Sequence, residues 1–428
     1  MAFFFSRDTK VFMSFSLDGT TANTALYEIP VLDGFTFSQG TNTSEITLNE
    51  AANSTGYSKR GRAMFTDSFA PAEWSFSTYM RPTKSGSADA GASKQHGGNA
   101  DVFAVEGPLW AAMSANTYDR AIGGSGTGDF ANNAATYEPK HFNFANSNQV
   151  TLGAFDLFFV LGASKDTATA LYATGTEGVT VYRVGDCSVG SASIDFDIDG
   201  IAQIAWSGQG KEVSEVVSLS TAASGSVDTS AETYGYALGV IDEGVDSTSN
   251  FIRQKLTDLT MTFDISSATG SVAGSALDVA GNGTTDIPYG VTLTGGNITI
   301  ENNLSYLTPE TLGTVNLPLG HVMGTRSVSG NFTCYLNDTA NGSLDLFERL
   351  QESRGVITNT FDLKFSIGGS TSSTHCNVHV AKAHLELPTH SFEDVVSVDV
   401  NFHGLSTDLS SATGSNATNE VDVLYAAS

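Results

Sequence analysis

The run Asp195-Phe196-Asp197-Ile198-Asp199-Gly200 places three carboxylates at alternate positions ahead of a glycine, as in the opening of a calcium-binding EF-hand loop. Such a loop needs a bidentate Glu at its twelfth position, and Trp206 stands there. Period-two alternation accounts for the run better: Ile194, Phe196 and Ile198 are expected to face a core, and Asp195, Asp197 and Asp199 solvent. His375-Cys376-Asn377-Val378-His379 puts two imidazoles on one strand face, with His384 and His390 further on. Strand-borne His pairs bind zinc, but the spacing indicates no third ligand, so a polar surface or interface role is expected. Gly123 to Phe130, "GGSGTGDF", resembles a phosphate loop in composition alone, without the closing Lys-Ser/Thr. Ser58 to Arg62, "SKRGR", is the densest basic cluster, suited to the carboxylates of another subunit. Neither a Ser/His/Asp arrangement nor a catalytic carboxylate pair emerges, so the expectation is a protein that is no enzyme and takes no cofactor or metal.

The elements that carry these residues are predicted to be strands. Of 428 residues only 15% are charged and 40% are hydrophobic, while Gly, Ser, Thr, Asn and Ala abound, as suits many short strands joined by turns. Cys187, Cys334 and Cys376 are odd in number and far apart, which points to neither a disulfide framework nor a four-thiolate zinc site, and to a reducing compartment. The 46 acidic and 20 basic residues give a net charge of −26, a balance poorly suited to gripping phosphates. "MAFFFSRDTK" is too short an apolar run for a signal peptide. The longest apolar stretch, Val150 to Ala163, has 14 residues and includes Asp156, short of the roughly 18 to 20 that span a bilayer. No membrane association is expected.

Internal similarity organises the chain. Val11 to Gly19 matches Leu259 to Ser267, with Met13 and Phe15 over Met261 and Phe263. Glu28-Ile29-Pro30 and its following turn and strand match Asp286-Ile287-Pro288, with Phe35 and Phe37 set against Ile298 and Ile300. Phe155 to Gly162 matches Phe361 to Gly368, and Val179 to Gly200 runs ungapped beside Ala383 to Gly404, which sets Asp399 with the acidic strand. Each half has one helical pattern: Leu109, Trp110 and Met113 after Pro108, and Leu344, Phe347 and Leu350 after a capping Ser343. The expected plan is a first domain over 1–210 with a loop insertion at about 83–148, an acidic polar linker over 211–250 with room for a small ordered piece around Tyr234 to Ile241, and a second domain over 251–428.

The stretches Tyr27 to Pro82 and Gly296 to Leu336 share a layout of strand, long loop and returning strand that resembles the tail tube proteins of tailed bacteriophages. That resemblance implies an all-β fold with a minor helical part: two tandem β-sandwich or half-barrel domains, each with one flanking helix. It further implies rings stacked into a tube through which genomic DNA passes without specific binding. The tube would be part of the virion tail, assembled in the host cytoplasm beside tape-measure, terminator and baseplate or tip proteins. The loop with Lys59, Arg60, Arg62, Phe65 and Phe69 would stack rings, with Met64 and Trp74 as further apolar anchors. Asp195, Asp197, Asp199 and Asp399 would face the lumen, and a duplicated chain implies a trimeric ring with pseudo-sixfold symmetry. The competing class is another all-β virion or surface protein, such as a decoration protein, an adhesin or an S-layer-like protein.

Overall fold

The computed structural model of the chain describes residues 4–16, 24–46, 63–84, 102–114, 141–145, 152–163, 171–175, 178–241, 250–263, 287–309, 312, 316–352, 361–369, 374–392, 394–406 and 419–426. In its first half lie β1 (Thr9–Ser16), β2 (Thr24–Ile29), β3 (Thr36–Ile46), β4 (Ala63–Tyr79), β5 (Pro82–Lys84), β6 (Val102–Ala104), helix α1 (Gly107–Ser114), β7 (His141–Ala145), β8 (Phe155–Leu161) and β9 (Leu171–Ala173). There follow β10 (Thr180–Asp197), β11 (Gln203–Gly210), β12 (Glu212–Val216), β13 (Ser218–Ser220), β14 (Thr233–Gly235) and β15 (Val240–Ile241). The second half holds β16 (Asp258–Phe263), β17 (Ile287–Gly290), β18 (Leu293–Glu301), β19 (Leu304–Leu307), β20 (Gly320–Met323), β21 (Ser327–Tyr335) and helix α2 (Ser343–Glu352). It ends with β22 (Phe361–Ile367), β23 (His375–Leu385), β24 (Thr389–Phe392), β25 (Val396–Gly404) and β26 (Asn419–Ala426). The fold is therefore β-rich with two short helices among the described residues, as the composition leads one to expect.

Antiparallel ladders join β2, β1, β8, β10, β11, β4 and β3 in that order. The second half has the succession β17, β16, β22, β23, β25, β21 and β18. Met13 opposite Leu157 and Met261 opposite Leu363 occupy the same place in the two. The first half of β10 pairs with β8 and β12 and its second half with β11 and β18. In the second half of the chain the same run is shared between β23 and β24, separated at Pro388, which has no N–H to give a ladder. The ladders also show which of the matched stretches do not superpose. Val179 to Gly200 covers β10 and its turn, whereas Ala383 to Gly404 covers the end of β23, all of β24, a turn and β25. Likewise Ile29 lies opposite Val11 but Ile287 lies opposite Phe263.

One apolar core runs through both halves. Helix α1 is buried along its whole length, beyond the one apolar side that its sequence suggests. Trp110 meets Trp206 edge-on at 4.7 Å and donates its Nε1–H to Tyr425 Oη at 2.9 Å. Tyr425 in turn donates to Glu106 Oε1 at 2.6 Å. At the other end of the helix the buried Asn302 donates to the Met113 and Val189 carbonyls at 3.0 and 3.2 Å and accepts from Arg326 Nε at 2.9 Å. This satisfies a helix-terminal carbonyl that has no partner within the helix. In α2 it is Leu346 and Leu350 that are buried, while Leu344 is exposed. Ser343 Oγ donates to Tyr335 O and accepts from Asn337 N, so it ties the helix to β21.

The segment expected as a linker, 211–250, is largely folded onto the first half. β12 pairs with β10, β13 and β14 form a small sheet with β9, and β15 runs parallel to β2. Val216, Leu219, Tyr234 and Tyr236 pack there with Phe12, Leu26, Phe158, Val160 and Val181 in a second apolar cluster. Arg183 pins this layer, 3.0 Å from Asp156, 3.4 Å from Glu212 and under the Tyr234 ring. Few but large apolar groups suffice here, because one buried aromatic side chain contributes about 1.5–3 kcal/mol. Residues 242–249 lie outside the described residues, as does most of the insertion at 83–148 apart from β5, β6, α1 and β7.

Candidate functional site

Because β10 pairs with β18, from Ser191 opposite Glu301 to Asp197 opposite Gly295, one sheet runs unbroken from β3 through β4, β11, β10, β18 and β21 to β25. Alternation gives this sheet two faces of opposite character. Trp74, Phe76, Ile194, Trp206, Ile298, Phe332 and Val400 point into the core. The other face carries Ser, Thr, Asn and Gln, with Glu73, Asp195, Asp197, Glu301 and Asp399 among them. β3, β4, β11, β18, β21 and β25 contain no Lys or Arg, and the one Arg of β10, Arg183, lies in its other half.

Cross-strand hydrogen bonds fix Asp195 and Asp399. Asn297 Nδ2 donates to the Asp195 carboxylate and to Ser193 Oγ at 2.9 Å, and Ser193 lies 3.2 Å from Thr299 Oγ1. Asp399, opposite Thr333, accepts from Thr333 Oγ1 at 3.3 Å. Glu386 accepts from Asn401 at 3.0 Å and lies 3.1 Å from His403 Nε2. These bonds hold its carboxyl below the usual range.

Asp195 and Asp197 thus share the polar face with Asp399, although Asp399 reaches it from β25 and is not the ladder counterpart of any of the three. Asp199 sits in the exposed turn after β10, and Ile198, expected inside, is 50% exposed because the strand ends at Asp197. Among the described residues no three His, Cys, Asp or Glu side chains are grouped to hold a metal. His379 Nε2 lies 2.9 Å from Asp362, and Cys376, Cys187 and Cys334 are buried free thiols whose pKa burial raises.

The outer part of the β3–β4 hairpin leaves the body as an arm. Residues 40–45 of β3 and 64–67 of β4 are exposed, with Met64 at 53% and Phe65 at 60%. Lys59, Arg60 and Arg62 lie outside the described residues, as does the "GGSGTGDF" segment. Phe69 is half-buried, and its N–H donates to Asn316 O at 2.9 Å. Trp74, expected as an apolar anchor of this loop, is 2% exposed and belongs to the core, because β11 covers the base of the hairpin. A second arm, β19–β20, arises where the chain turns at Asn302 and Asn303, the latter with φ 47°. It exposes Leu307, Leu319 and Val322, and at its base Tyr306 Oη lies 2.7 Å from Asp186 O. This arm falls within the long loop expected between Gly296 and Leu336, and Asn, a residue that tolerates positive φ, stands at its corner.

Tail tube protein pb6 of Escherichia phage T5 is 29% identical over 407 residues, covering 94% of this chain and 73% of that protein. The chain is thus similar, along nearly its whole length, to a tail tube protein of a tailed phage. No family model matches the chain. The chain is β-rich, and no helix among the described residues is long and apolar enough to cross a membrane.

Proposed function

We propose that this chain is a tail tube protein that forms stacked rings whose bore is lined by the polar face of the β3-to-β25 sheet and conducts DNA toward the host cell. The observation that carries this reading is the wide face of hydroxyls, amides and carboxylates on strands that lack Lys and Arg along it. A conduit must not hold its cargo. Fixed carboxylates repel phosphates at ranges set by the Debye length, about 8 Å at physiological salt, and without cations on the wall there is no counterion release to drive binding. The identical succession of ladders in the two halves supports a tandem duplication, with each chain supplying two sectors of a three-copy ring of pseudo-sixfold symmetry. The arms reach the next ring, with Phe65, Met64, Leu307 and Val322 as apolar contacts and Lys59, Arg60 and Arg62 facing carboxylates. Tape-measure, terminator and baseplate or tip proteins are its further partners.

The test is a phage carrying Asp195→Lys, Asp197→Lys, Asp199→Lys and Asp399→Lys. Tails should assemble, since these side chains are solvent-facing, while DNA delivery falls at least tenfold. Normal ejection from such particles would remove this face from the bore.

A further inference from the structure

The sheet from β3 to β25 has two open edges. Among the described residues β3 pairs only with β4, and β24 pairs only with β25. Inside the chain the corresponding edges already meet. β18, which ends the ladder succession of the second half as β3 ends that of the first, is paired to the second half of β10, whose counterpart is β24. In that internal junction Phe196 is 3% exposed. Its ring lies over Gly296, where an added Cβ would stand 2.6 Å from it, and 5.6 Å from Phe365. Phe392 holds the same place on β24 and is 80% exposed.

Resting on the ring reading above, we propose that β24 of one copy and β3 of the next form an antiparallel ladder that repeats the β10–β18 junction between chains. Asp195 is opposite Asn297 and Phe196 opposite Gly296 in the internal ladder. Transferring that register, with interior residues kept interior, sets Ser391 opposite Thr36 and Phe392 opposite Phe35. The exposed ring gains an aromatic neighbour, because Phe35 stands where the second half has Gly296 and is itself stacked at 5.7 Å on Phe159. Phe159 lies opposite Val11 as Phe365 lies opposite Leu259, so the same pocket serves both junctions. Pairing two open edges also removes two templates for aggregation.

The double variant Thr36→Cys/Ser391→Cys tests the register, since both positions are exposed and the three native cysteines are fully buried. Oxidised in assembled tubes, it should give covalent dimers and trimers on a non-reducing gel. The pair Ser38→Cys/Ser391→Cys is diagonal, at roughly 7–8 Å, and should cross-link several-fold less. Phe392→Asp should leave the melting temperature within a degree or two and abolish ring formation. Tubes of the double variant without cross-links, stronger cross-linking through residue 38, or normal assembly of Phe392→Asp would each overturn the ladder while leaving the tube intact. Failure of the unmodified protein to form tubes under electron microscopy would overturn the tube reading, and the ladder with it.

Discussion

Glu106 is a carboxyl inside the apolar junction of the two halves, beside Arg81 N at 3.2 Å and Tyr425 Oη at 2.6 Å. Burial pushes it up to about 7, against the lowering effect of those hydrogen bonds. A folded-state value above the ordinary 4.5 means that the native protein holds this proton more tightly than the unfolded chain does. The stability it contributes is fully present below pH 4.5 and is lost as the pH rises through about 7. The gap corresponds to about 3 kcal/mol. Glu106→Gln is expected to flatten the decline of unfolding free energy between pH 4.5 and 7 by about that amount, measured by denaturant titration at several pH values. A variant that follows the parent across this window would show that the carboxyl is ionised throughout.

At the scale of elements, the arms expose Met64, Phe65, Leu307, Leu319 and Val322 with no core to serve. Met64→Ser with Phe65→Ser removes apolar surface that already faces water, so the unfolding free energy should stay within about 0.5 kcal/mol of the parent's. Tube length in negative stain should fall to single rings or short stacks, and full-length tubes would exclude this arm from ring stacking. Lys59, Arg60 and Arg62 to Glu should act in the same direction. The strands themselves were legible, because alternation of Ile194, Phe196 and their neighbours with Asp and Ser leaves little room for a helix. Their equivalence was not. A period-two pattern matches itself at every even shift, and the ungapped match of Val179 to Gly200 is displaced by eight residues from the ladder counterpart, for Phe155 opposite Cys187 corresponds to Phe361 opposite Ala383. The segment 211–250 misled for another reason. Its polar composition outweighed Val216 and Leu219, which with Tyr234 and Tyr236 bind it to β8 and β10. Trp74 shows the converse: an aromatic residue within a long hairpin is core or surface according to which strand covers it, and the hairpin sequence alone does not say where β11 lies.

At the scale of the whole molecule, in the proposed three-copy ring the unbroken sheet across β10 and β18 would set the angle between the two sectors of one chain, and the ring would close only if the junction between chains repeats it. Electron cryomicroscopy of tubes should show three chains per ring, both halves reaching the bore, and a threefold modulation on the outside where the β9–β13–β14 layer covers the first half alone. Six chains per ring would refute this arrangement. Helix α1 carries a different consequence. A helix apolar on every side has no surface to offer water, and Trp110 and Met113 are bonded to residues of the second half, Tyr425 and Asn302. Cut free of the second half, the first would bare this helix to water, so it is expected to be insoluble when produced alone.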